Sequence, residues 1–131
     1  MKLLLDTHIW LWSQLEPERI APTAAGAIEN IQNELWLSPL SIWELSNLVG
    51  KRRFFLESKL DDWVLEAMRK LPVQEAPLTY EVALESGRVQ LPYRDPVDRF
   101  LVATARVFDL TLVTADARLL GVKGLRVLPN R

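Results

Sequence analysis

Leu3-Leu4-Leu5-Asp6-Thr7 is the stretch that decides the fold. Three consecutive leucines show no alternation, so they read as a strand buried on both faces, as in a parallel sheet. A carboxylate follows at once. In an open parallel sheet, ligands sit in the crevice beyond the carboxyl ends of the strands, and Asp6 ends its strand there. Leu110-Thr111-Leu112-Val113-Thr114, followed by Ala115-Asp116, repeats the arrangement.

Outward from the first strand, Thr7 is placed to cap a helix whose apolar positions are Ile9, Trp10, Trp12 and Leu15. Glu16-Pro17-Glu18 breaks it. Residues 22–32 read as a second helix and Leu35-Trp36-Leu37 as a short strand. Ser38 as N-cap and Pro39 at the first helical position start a helix that ends near Gly50. An amphipathic helix at 59–70, a strand at 73–76 and a helix at 78–86 with Gly87 as C-cap follow. Asp95-Pro96 opens an apolar helix over 96–108. The strands at 110–114 and 125–128 complete the chain. Strands alternate with helices throughout, so the expected class is α/β with a parallel sheet. No linker or repeat divides residues 1–131, and one domain is expected.

Composition bounds the chemistry. The 131 residues include no cysteine and one histidine, His8. Thiolate and histidine-rich metal sites are thereby excluded. A metal here must be held by oxygen, which points to Mg2+ or Mn2+. The formal net charge is -1, which weighs mildly against a free-standing nucleic-acid binder. No apolar run approaches the ~18 residues of a membrane span. The N-terminal apolar stretch, broken by Asp6 and His8, is no signal peptide, so a cytoplasmic location is expected.

Four acids are directed to one rim. Asp6 and Asp116 follow buried strands. Glu44 lies in the second turn of the helix begun at Pro39, and helical side chains lean toward the N-terminus. Asp98 lies in the first turn of its helix, where the dipole favours an anion. Like charges gathered in this way take up protons or bind a cation. Carboxylate-held Mg2+ suits hydrolysis of phosphodiesters. Each residue also has a bland reading. Asp6 and Asp116 are turn or cap residues in that view, Glu44 pairs with an arginine, and His8 is structural. Lys51-Arg52-Arg53 is a solvated helix end, and the tryptophans at 10, 12, 36, 43 and 63 are mainly core. Within Asp95-Pro96-Val97-Asp98, Pro96 at the first helical position makes Asp95 the N-cap and leaves Asp98 free for the site. Arg99 and Arg106 fall on the solvent side of that helix.

Leu4-Leu5-Asp6-Thr7-His8, Ser41-Ile42-Trp43-Glu44-Leu45, Arg94-Asp95-Pro96-Val97-Asp98-Arg99 and Leu112-Val113-Thr114-Ala115-Asp116 together resemble the motif blocks of PIN-domain proteins. The resemblance is to the VapC-type toxins of prokaryotic toxin–antitoxin modules, and it spans essentially the whole chain. It implies a three-layer sandwich with a five-stranded parallel sheet in the order 3-2-1-4-5. It also implies an Mg2+- or Mn2+-dependent ribonuclease, a homodimer and inhibition by a cognate antitoxin. By motif, Asp6, Glu44, Asp98 and Asp116 carry over as the acidic site, with Asp6, Asp98 and Asp116 on the metal. Asp95, Thr7 and Thr114 are accessory candidates. Two other classes compete: a catalytically silent PIN-like binding module, and a phosphatase with Asp6 as nucleophile. The first is disfavoured by intact acids at all four positions. The second typically wants an Asp two residues on, where this chain has His8.

Overall fold

The computed structural model describes residues 1–131. Its strands are β1 (Lys2–Leu5), β2 (Glu34–Leu37), β3 (Gln74–Glu75), β4 (Thr111–Thr114) and β5 (Arg126–Pro129). Its helices are α1 (Thr7–Leu15), α2 (Pro22–Glu29), α3 (Pro39–Gly50), α4 (Leu60–Lys70), α5 (Tyr80–Ser86) and α6 (Pro96–Phe108). All neighbouring strands are parallel, in the order β3-β2-β1-β4-β5. The expected sheet is therefore present, and β1 and β4 lie side by side at its centre. Leu5 is in register with Val113, so Asp6 and Thr114 emerge together at the carboxyl edge.

The leucine run works as its lack of alternation implies. Leu3 and Leu5 pack on one face with Trp10, Leu45 and Val113, beneath α1 to α4. Leu4 packs on the other face with Leu101, Val102 and Leu112, beneath α5 and α6. All three leucines are fully buried, and each such side chain is worth ~1.5–3 kcal/mol of burial. Two apolar layers on one central sheet make the three-layer sandwich.

Several local expectations change. The N-cap of α1 is Asp6, not Thr7; the Asp6 carboxylate accepts from the Thr7 amide, and Thr7 is already helical. The second helix stops at Glu29, and Asn30 to Asn33 form a turn before β2. Trp43 is 55% exposed and does not belong to the core. Arg106 does not reach solvent freely. Its guanidinium lies against Gly124 and donates to the Lys123 carbonyl. Gly124 has φ +75°, and a side chain there would press within 3.1 Å of Arg106. The turn into β5 thus closes over the end of α6, a long-range contact that helical periodicity cannot foretell. No helix is long and apolar enough to cross a membrane.

Candidate active site

A cavity of about 550 Å³ opens at the carboxyl edge of the sheet. Asp6, Glu44, Asp95, Asp98 and Asp116 all line it. They come from the end of β1, from α3, from the start of α6 and from the loop after β4.

Asp6 is held by both oxygens. Its Oδ1 accepts from the Thr7 amide at 2.8 Å, and its Oδ2 accepts from the Thr114 hydroxyl at 2.6 Å. The Thr114 hydroxyl also accepts from the Asp116 amide at 3.0 Å. One buried threonine thus couples the two acids that end the central strands. Burial raises the Asp6 carboxyl above its ordinary range, against the lowering effect of those hydrogen bonds.

Glu44 is fixed from α1. The buried Thr7 hydroxyl donates to Glu44 Oε1 at 2.5 Å and lies 2.9 Å from Ser41 Oγ. Thr7 has one hydroxyl proton, so with Glu44 ionised the Ser41 hydroxyl donates to Thr7. No arginine pairs with Glu44. Its carboxyl is also raised, by burial first and by nearby Asp6 among lesser causes.

Asp95 takes the capping position that the spacing suggests. Asp95 is the N-cap of α6, its Oδ1 accepting from the Val97 and Asp98 amides at 3.0 and 3.2 Å. The Asp98 side chain is free of the helix. It accepts from the Tyr93 hydroxyl at 2.8 Å. Burial pushes its carboxyl up to about 6, with Asp95, Asp6 and Asp116 adding repulsion.

Asp116 differs. It caps the single 3-10 turn Ala117–Leu119 and pairs with Arg118 through both oxygens, at 3.1 and 2.9 Å. That pair holds its carboxyl below the usual range. Arg118 in turn lies over the Tyr93 ring, 3.9 Å from its centroid. The sequence drew attention to neither Tyr93 nor Arg118. Tyr93 lies in an irregular loop without periodicity. Arg118, two residues beyond an expected cap, carried a faint signal. His8 and Trp12 border the same cavity, their rings 5.9 Å apart. His8 therefore faces the acids rather than the core.

The donor set is all oxygen, and three of its carboxyls are raised by burial and mutual repulsion. Those features fit a hard divalent cation. As they stand, no three of the acids form a closed ligand set; Asp6, Asp98 and Asp116 have an oxygen on Thr114, Tyr93 and Arg118 respectively.

The family model for the PIN domain matches residues 3–125. Over 120 residues the chain is 34% identical to Ribonuclease VapC22 of Mycobacterium tuberculosis, covering 89% of this chain and 88% of that one. Among solved structures it is similar to VapBC2 from Rickettsia felis bound to a promoter DNA fragment. The TM-score is 0.71 at 16% identity, with 98% of each chain covered. It is also similar to a toxin–antitoxin complex from Klebsiella pneumoniae, with TM-score 0.69 at 20% identity and 98% of each chain covered.

Proposed function

The chain belongs to the PIN-domain family, and on that premise we propose that it is a VapC-type endoribonuclease, the toxin of a toxin–antitoxin module. The observation that carries the reading is one cavity lined by five acids from four separate segments, three of them with raised carboxyls. Asp6, Asp98 and Asp116 would hold Mg2+ or Mn2+. When bound, the ion supplies Lewis-acid chemistry: it lowers the pKa of water and stabilises charge on phosphoryl oxygens.

The chain's own residues supply position and proton transfer. The Thr114 hydroxyl orients Asp6 by donating to its carboxylate and the Asp116 loop by accepting from the Asp116 amide. Thr7 and Ser41 orient Glu44, whose raised carboxyl suits it to take a proton from the attacking water. Tyr93 holds Asp98, and Asp95 anchors the helix that presents it. Residues 1–131 act as one PIN domain in this reading. RNA is the substrate, a cognate antitoxin is the inhibitor, the active form is a homodimer, and the work is done in the cytoplasm.

Purified full chain should cut RNA with Mg2+ or Mn2+, stop on chelation, and resume when the ion is restored. Asp6→Asn should abolish cutting while leaving the thermal midpoint equal or higher, because one repelling charge is gone. Full cleavage in excess chelator would sink the mechanism. A phosphatase with Asp6 as nucleophile would instead release phosphate from monoesters, and a silent binding module would do neither.

A further inference from the structure

The cavity that must receive an RNA backbone is lined by five acids, and a polyanion is repelled from such a place unless cations stand beside it. Two arginines line it with them, Arg19 and Arg118. Each is stacked on an aromatic ring. The Arg19 guanidinium carbon lies 4.2 Å from the Trp12 ring centroid, and that of Arg118 lies 3.9 Å from the Tyr93 centroid. Trp12 packs against the apolar layer beneath α1 to α4. Tyr93 packs against the layer beneath α5 and α6. The two stacked arginines therefore approach the acids from the two opposite layers of the sandwich.

We propose that Arg19 and Arg118 seat single-stranded RNA across the cavity by binding the phosphates that flank the scissile one. This deepens the RNA-cleaving reading above and rests on it. Stacking holds a guanidinium in place through its face while leaving its edge donors for phosphate. Both side chains remain accessible, 53% exposed for Arg19 and 58% for Arg118. Arg118 spends Nε and Nη2 on Asp116 and keeps Nη1 without a protein partner. Arg19 makes only a 3.4 Å contact with Glu16, which lies outside the cavity lining. The rings thus fix two cations among the acids that line the cavity.

The test uses full chain carrying Asp6→Asn, which binds without cutting, and a labelled single-stranded RNA followed by fluorescence anisotropy at several salt concentrations. Arg19→Gln and Arg118→Gln keep part of the aliphatic stem and remove the charge. Each should weaken binding several-fold and reduce the log–log salt slope by ~0.7, the contribution of one phosphate contact on a single strand. The double change should reduce it by ~1.4. Thermal melting checks each fold. Arg19→Gln touches no cavity acid, so its slope decides the matter if Arg118→Gln disturbs Asp116. Parent affinity and slope in the double variant, with the Asp6-intact parent still cutting RNA, would overturn this proposal alone. A parent chain that neither binds nor cuts RNA would overturn the RNA-cleaving reading as well.

Discussion

At the residue scale the site is governed by which hydrogen bond each acid has found. Asp98 is buried with one tyrosine hydroxyl and repelled by three other acids, which pushes it up to about 6 from an ordinary 3.8. A carboxyl raised on folding binds its proton more tightly in the native state. Its stabilising contribution is therefore complete below about pH 4 and lost as pH rises through about 6. Without metal, Asp98→Asn should raise the thermal midpoint at pH 7.5, and the gain should vanish near pH 4. Melting curves of the two proteins across that range check this; an equal gain at both ends would contradict the burial argument. By the same logic, affinity for the cation should climb as pH passes 6. Thr114 is the other informative residue. Thr114→Val keeps the shape but strips a donor from Asp6 and an acceptor from the Asp116 amide. It should cost about 1–3 kcal/mol in denaturant unfolding and slow cleavage. Thr114→Ser should restore most of both.

At the scale of elements, helix starts do the positioning. Asp6, Asp95 and Asp116 each cap the segment that follows them, so the edge that collects the acids is also where the helices begin. Capping and catalysis compete for the same carboxylates. The competition is sharpest in α6, where Asp95 spends one oxygen on two amides and Asp98 spends none on the helix. Asp95→Ala should lower stability by about 1 kcal/mol, the typical worth of a cap, and leave much of the cleavage. Asp98→Asn should abolish cleavage without lowering stability. Chemical denaturation beside an RNA assay separates the pair, and exchanged phenotypes would make Asp95 the ligand.

At the scale of the whole molecule, several large apolar side chains stay exposed. Tyr80 and Leu84 stand one turn apart on α5, 92% and 67% exposed, with Leu78 just before them. Trp43 is 55% exposed on α3. Large apolar residues gathered at the surface mark contact sites, and a small chain commonly covers them with a second copy in an isologous pair. The chain should therefore run as a dimer at micromolar concentration by light scattering. Tyr80→Lys with Leu84→Lys should shift it to a monomer without unfolding it. A strictly monomeric parent would refute the dimer.

The parallel sheet was legible in Leu3-Leu4-Leu5, because a strand covered on both faces shows no alternation and the strands alternate with helices along the chain. The sequence by itself also determined the start of α6, because Pro96 admits one helical position and leaves Asp95 to cap it. It brought Asp6, Glu44, Asp98 and Asp116 to one edge, since topology alone sends strand ends and helix starts there. What the sequence left open was which side chain each of Asp6, Glu44, Asp98 and Asp116 would pair with. The threonine that joins Asp6 to the Asp116 loop lies 108 positions from Asp6, and the one that holds Glu44 lies 37 positions away. Tyr93 comes from an irregular loop with no pattern to read. Arg118 meets that ring only because the loop before α6 and the turn after β4 pack together. Such pairings depend on how two layers close over one sheet edge. Tertiary structure alone therefore decided which carboxyls are raised, which one is pinned to an arginine, and where the cavity keeps its positive charge.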